Sequence, residues 1–112
     1  MATLVNAESG DLLLADLEIA NAFWKRFKGL QWRKSLSNDS GLWLSPCSSL
    51  HTCFMHFPID IFMLDRDGKV VGKRTSVPPW RLVFCARGTR DVLETNAGSL
   101  DLELGMSLRI EA

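Results

Sequence analysis

IDIFMLDRDGKVV, residues 59–71, decides the fold. Ile59 to Leu64 are apolar at every position but one, DRDG at 65–68 is a turn sequence, and Lys69 to Val71 begin a return strand. Together they form the pattern of a β-hairpin. Because Ile61, Phe62, Met63 and Leu64 are all apolar, the outgoing strand is covered on both faces and belongs at the centre of a sheet or in a barrel wall. The exception is Asp60, set between Ile59 and Ile61; a lone charge there is costly unless it finds a partner or water.

Working outward, short strands recur between turn signals. Upstream lie Thr3 to Val5, Leu12 to Ala15 (extended or followed by Asp16 to Ala20), and Leu42 to Leu44. Downstream, Val77-Pro78-Pro79-Trp80 bends the chain before strands at Leu82 to Phe84, Asp91 to Glu94 and Ser107 to Ile110. Asn21 is a helix N-cap candidate and Gly29 a stop. Between them Phe23 and Phe27 share a face with Ala20 and Leu30, which predicts a helix of about two to three turns, the longest of the domain. Thr95 or Asn96 is read as the cap of a short helical turn near residues 97–103. The expected fold is mainly β (α+β): one compact, antiparallel, partly open β-barrel-like domain spanning residues 1–112, with one short helix near 21–29.

Composition narrows the function classes. Thirteen basic residues balance thirteen acidic ones, so the chain as a whole has no electrostatic claim on nucleic acid or anionic membrane. The first twenty residues lack a basic start, and Glu8, Asp11 and Asp16 interrupt their apolar runs, unlike a signal peptide. No apolar stretch approaches the roughly 18 residues of a transmembrane helix. Three cysteines form no even-numbered disulfide framework, which with the foregoing predicts free thiols in a reducing cytoplasm.

Several motifs then carry a resemblance. Gly29-Leu30 with Arg33, P-C-x-S-x-H-T-x-x-M over Pro46 to Met55, and F-P-I-D-x-F-M-x-D over Phe57 to Asp65 come first. Val77-Pro78-Pro79-Trp80-Arg81, V-L-E-x-x-A-G over Val92 to Gly98, and Gly105 follow in order. From about Leu17 to Ile110 the chain resembles a bacterial and archaeal family known as domain of unknown function 192. The chain departs from that pattern at Gln31-Trp32, where the family often has Met after R-G-L, and at Met106, where Asp usually follows Gly. The resemblance implies a single β-rich domain and leaves the function open.

The chemistry-bearing residues cluster in and around Pro46 to Gly68. Cys47, His51, Cys53 and His56 are spaced four, two and three apart, but paired zinc-ligand knuckles are missing and strand alternation sends the side chains to different faces; no metal and no cofactor is expected. A thiol nucleophile built from Cys47, His51 and Asp60 is a second reading, though nothing places Cys47 where its thiol would be activated. Cys85 reads as a packing residue. Asp60 and Glu94 each interrupt an apolar strand, and Arg33 and Arg81 are the cations that would pair with them, either as a structural network or as a polar patch at a barrel mouth. Residues 23–34, FWKRFKGLQWRK, hold five basic residues and two tryptophans, the footprint of a single-strand binder. The rest of the chain has eight basic against thirteen acidic residues, so a solvated face is preferred and no nucleic acid is expected.

The sequence therefore predicts a non-catalytic module that binds an unknown small molecule or protein, as a monomer or weak dimer. The ligand-binding candidates are Cys47, His51, Asp60, Arg33, Arg81 and Glu94. A cysteine/histidine-dependent enzyme or metal protein is one alternative, and an interaction adaptor using exposed residues such as Trp80 is another.

Overall fold

A computed structural model describes residues 2–112 except Phe23, Trp24, Phe27, Lys28 and Trp32. Nine strands carry the described chain: β1 (Ala2–Asn6), β2 (Leu12–Ala20), β3 (Ser40–Leu44), β4 (Ser49–His51), β5 (Ile59–Leu64), β6 (Val70–Val77), β7 (Leu82–Phe84), β8 (Asp91–Asn96) and β9 (Leu108–Glu111). Seven form one sheet in the order β6-β5-β8-β3-β2-β1-β9, while β4 and β7 form a separate two-stranded flap. Only β2 and β3 run parallel; the other pairings are antiparallel.

The fold is mainly β, and the long sheet does not close into a barrel. Its two edges are tied at one point. Lys69 and Ser107 form an isolated antiparallel bridge, flanked by hydrogen bonds from the Val70 N–H to the Met106 carbonyl (2.9 Å) and from the Leu108 N–H to the Gly68 carbonyl (2.9 Å).

The hairpin β5–β6 follows from its turn. The Asp65 Oδ1 accepts the N–H groups of Asp67 (2.9 Å) and Lys69 (3.0 Å), an Asx arrangement that closes DRDG. Gly68 has φ +82°, and a Cβ there would lie 2.6 Å from the Leu108 carbonyl oxygen. Gly68→Ala is therefore expected to cost about 2 kcal/mol in urea unfolding, combining left-handed strain with displacement of backbone in the edge bridge. Gly10→Ala is the control: its φ is similar, but nothing lies within 4 Å of the added carbon. Equal losses at the two sites would show that crowding plays no part.

All six residues of β5 are buried, and alternation divides them. Ile59, Ile61 and Met63 pack in one core with Leu42, Leu44, Val83 and Val92, whereas Phe62 and Leu64 pack in a second with Leu4, Leu14, Trp43 and Leu93. The sheet is thus apolar on both faces, as the four-residue run in β5 requires.

Three local expectations change. Residues 97–103 are not helical; β8 runs to Asn96 and a turn follows. There the Ser99 Oγ donates to the Asn96 carbonyl (2.8 Å) and the Gly98 N–H to the Asp60 carboxylate (2.9 Å), side-chain bonds that compete with a helical turn. The stretch after His51 is not strand either. Thr52 leaves the ladder, fully buried, with its Oγ1 donating to the Pro78 carbonyl (2.7 Å) and accepting from the Arg81 N–H (2.9 Å). Ser49, which no strand was expected to include, begins β4. In the segment near 21–29, the Arg26 N–H donates to the Ala22 carbonyl and the Gly29 N–H to the Lys25 carbonyl, both at 3.0 Å, which is α-helical bonding. Phe23 and Phe27, which carry the predicted buried face, lie outside the described residues.

Candidate functional site

Glu94 is the residue around which a site assembles. On β8 it faces the first core, paired in register with Leu42 on β3 and Ile61 on β5. It is 3% exposed, and its Oε1 is buried with no hydrogen-bond partner. Burial pushes its carboxyl up to about 8; the nearby Cys47 adds to this and the charge of Arg33 opposes it.

Beside Glu94 lies a cavity of about 240 Å³. Its walls come from three places in the sequence. The segment after β2 contributes Arg26, Gly29 and Gln31, the segment after β3 contributes Cys47 and Ser48, and the flap strand β4 contributes His51. Gly29 closes over the carboxylate: its φ is +50°, and a Cβ there would lie 3.6 Å from the Glu94 Oε1.

The polar groups of the walls are oriented. The His51 Nδ1 accepts the Cys53 N–H (3.3 Å), and its Nε2 lies 3.4 Å from the Gln31 Nε2. Arg26 is turned to backbone, its Nη1 donating to the Asn21 carbonyl at 2.8 Å. The Cys47 thiol donates to the Ser49 carbonyl (3.2 Å) and also interacts with Cys85. The neighbouring Cys85, with burial, pushes the Cys47 thiol up, while Cys47 holds Cys85 below the ordinary thiol range.

Among the six candidates taken from the sequence, Cys47, His51 and Glu94 therefore meet at one cavity. Asp60 does not join them. It pairs in register with Thr95, one residue beyond Glu94, so it lies on the opposite face of the sheet. Its two oxygens accept backbone N–H groups, Oδ1 from Ser76 (2.8 Å) and Oδ2 from Gly98 (2.9 Å). The first of these has a structural cause. Ile59 pairs with Val77 and Ile61 with Arg74, so β6 carries one extra residue opposite Asp60. Such a bulge leaves an amide outside the ladder, and the carboxylate satisfies it.

The Asp60 carboxylate is held by backbone, and the two arginines engage other groups. Arg33 pairs with Glu18 at 2.6 Å, both partly exposed, an arrangement worth little by itself. Arg81 is exposed, and its backbone N–H holds Thr52. Gln31, Arg26 and Ser48 are wall residues that the sequence reading missed. Gln31 and Arg26 carry no spacing signal, because the parallel β2–β3 crossover brings them in from outside the Cys/His cluster. Among the described residues no group of three or more His, Cys, Asp or Glu is arranged to hold a metal, and no helix is long and apolar enough to cross a membrane.

The family model described as "Uncharacterized ACR, COG1430", domain of unknown function 192, matches residues 4–110. The chain belongs to this family. A UPF0127 protein of Thermococcus sibiricus is 30% identical over 103 residues, covering 88% of this chain and 66% of the relative. One from Thermococcus gammatolerans is 30% identical over 110 residues, covering 91% and 71%. The chain thus spans about two thirds of the length of these family members. Two crystal structures share the fold. A protein of unknown function from Novosphingobium aromaticivorans superposes with a TM-score of 0.81 at 21% identity, over 96% of this chain and 82% of the other. A Sinorhizobium meliloti protein, described as a provisional transcription regulator, superposes with a TM-score of 0.82 at 23% identity, over 96% and 90%. At these identities the likeness concerns the family's fold alone.

Proposed function

We propose that this family member is a non-catalytic binding module whose small ligand presents a hydrogen-bond donor to Glu94. The supporting observation is the buried, unpartnered Oε1 beside a cavity of about 240 Å³. Unsatisfied buried carboxyl oxygens are rare in folded proteins because each forfeits its hydration, so a group that replaces water there gains a strong contact. The carboxyl is mostly protonated at neutral pH, given its value of about 8. Neutral donors such as amides or hydroxyls then bind without moving a proton, whereas a primary ammonium ion binds with release of one.

Two sets of probes separate these ligand types: small amides and polyols, and small primary amines, each followed by ligand-observed NMR and by calorimetry in buffers of different ionisation heat. Ligands found in this way are expected to weaken at least tenfold against Glu94→Leu, which removes both carboxyl oxygens and so the acceptor itself. Unchanged affinity for every ligand found would sink the reading. A cysteine enzyme is less well supported, because the Cys47 thiol is held in its protonated form and turned to the Ser49 carbonyl. A cytoplasmic setting agrees with three free cysteines.

The adaptor reading has one observation of its own. Leu82 (63%) and Phe84 (72%) are exposed on the flap near Trp80, whose ring meets Phe54 edge-on at 4.7 Å. Concentration-dependent sedimentation, abolished by Phe84→Ser, is the result that reading requires.

A further inference from the structure

The cavity beside Glu94 runs along a strand edge. Four consecutive residues, Ser48, Ser49, Leu50 and His51, line it, whereas one face of a strand would contribute alternate residues. They lead into and form β4, whose strand partner among the described residues is β7 alone. Register fixes which way the β4 backbone points. Ser49 pairs with Phe84, Leu50 with Val83 and His51 with Leu82. In step with that register, the Cys85 N–H donates to the Ser48 carbonyl (3.1 Å) and the Thr52 N–H to the Arg81 carbonyl (2.8 Å). Leu50 therefore turns its amide and carbonyl toward β7, and Ser49 turns both of its groups to the other edge. Among the described residues no acceptor meets the Ser49 N–H, and Ser49 is exposed. Two positions earlier a neighbouring segment fills that role, with the Cys47 N–H donating to the Arg90 carbonyl (2.6 Å). The faces are equally defined. Leu50 and Val83 pack in the first core, the side on which Glu94 lies with its Oε1 buried and unpartnered.

We propose that an extended stretch of polypeptide adds to the open edge of β4 as an antiparallel third strand of the flap, and sets one donor-bearing side chain against Glu94. The residue opposite Ser49 exchanges N–H···O=C bonds with it. The preceding residue, opposite Leu50, turns its own N–H away from β4 and its side chain onto the face of Leu50. That is the face of Glu94, so one side chain is read, and an amide or hydroxyl suits the lone oxygen where leucine does not. Polypeptide is favoured over an isolated amide for a geometric reason. A strand edge offers a donor and an acceptor together at Ser49, and an extended backbone meets both while still reaching Glu94. The choice of side chain rests on the Glu94 reading; the added strand rests on the edge of β4.

The probe is the blocked tripeptide acetyl-Ala-Gln-Ala-methylamide, titrated into the full chain and followed by ligand-observed NMR. Two further versions are N-methylated, one at the glutamine and one at the alanine after it. The wild type is expected to bind the parent and the glutamine-methylated peptide alike. The alanine-methylated peptide should bind roughly tenfold more weakly, since it alone loses the N–H that faces the Ser49 carbonyl. Leucine in place of the probe's glutamine should cost a similar factor. Ser49→Pro removes the outward N–H without touching the β4–β7 ladder, and should weaken the parent peptide by roughly tenfold as well. If that variant does not fold, the methylated peptides against the wild type are the deciding measurement. No binding of the blocked peptide, or no difference between the two methylated peptides, would overturn the added strand. Binding by unblocked Ala-Gln-Ala alone would overturn it too, by assigning the site to peptide termini. Small amides that still bind in a Glu94-dependent way would then leave the Glu94 reading standing. Methylation-sensitive binding that Glu94→Leu does not weaken would uphold the strand and overturn the side-chain assignment.

Discussion

Glu94→Gln should make the protein more stable at pH 8 and above and should remove most of the pH dependence of unfolding between about pH 4.5 and 8. The sign follows from where the protons sit. Glu94 has an ordinary value of 4.5, and burial raises it to about 8 in the folded chain. Between those values the folded protein holds a proton that the unfolded chain has released. Stability therefore falls as pH rises, by about 1.4 kcal/mol per pH unit, and the loss is complete above the folded value. Across the window this amounts to roughly 5 kcal/mol, a large share of the 5–15 kcal/mol that holds a typical domain together. Glutamine has the shape of the neutral acid and no proton to lose, so the variant should match the wild type near pH 4.5 and gain progressively above it. Urea melts at half-unit steps of pH would check this. Parallel curves for wild type and variant would mean that Glu94 is already ionised and paired, which would also remove the basis for ligand contact at its Oε1.

Asp60→Ala should act in the opposite direction. Removing it leaves the Ser76 and Gly98 amides without their acceptors, in surroundings where Asp60 is itself 3% exposed. Hydrogen bonds to a charged group contribute about 1.5–3 kcal/mol each, so the expected loss is about 3–5 kcal/mol. Asp60→Asn keeps one acceptor and turns an N–H₂ toward the other amide, so its loss should be smaller, about 2–3 kcal/mol. Hydrogen exchange localises the effect: protection should fail first at Ser76 and Gly98 and spread along β6. A stable Asp60→Ala variant that merely loses a ligand would return Asp60 to the list of site residues.

The contrast between these two carboxylates marks how far the sequence can be read. Ile59 to Leu64 and Leu82 to Phe84 are strands with the predicted bounds, because apolar alternation and Pro/Gly/Asp turns are local signals. Asp60 and Glu94 look alike in the sequence, each an acid next to apolar strand residues. Their different roles come from register: the β5–β8 pairing sets Asp60 against Thr95 and Glu94 against Ile61, and one step along a strand exchanges its faces. The bulge that consumes Asp60 and the crossover that brings Gln31 to the cavity are likewise tertiary facts. Cys47 and Cys85 lie 38 positions apart and meet only because β4 pairs with β7. Thr52, an unremarked threonine in the sequence, fixes that flap through two backbone partners.

The order of the long sheet has a kinetic consequence. β1 is hydrogen-bonded to β9, with Thr3 opposite Glu111, and the other edge reaches β9 through Lys69 and Ser107. During synthesis the first strand therefore waits with one side unpaired until nearly the whole of this segment has left the ribosome. Closing so long a loop carries a high entropic cost before any contact repays it, which places the chain among slowly folding, non-local β topologies. Until β9 docks, the free edge of β1 is the natural place for a chaperone, or a second nascent chain, to add a strand.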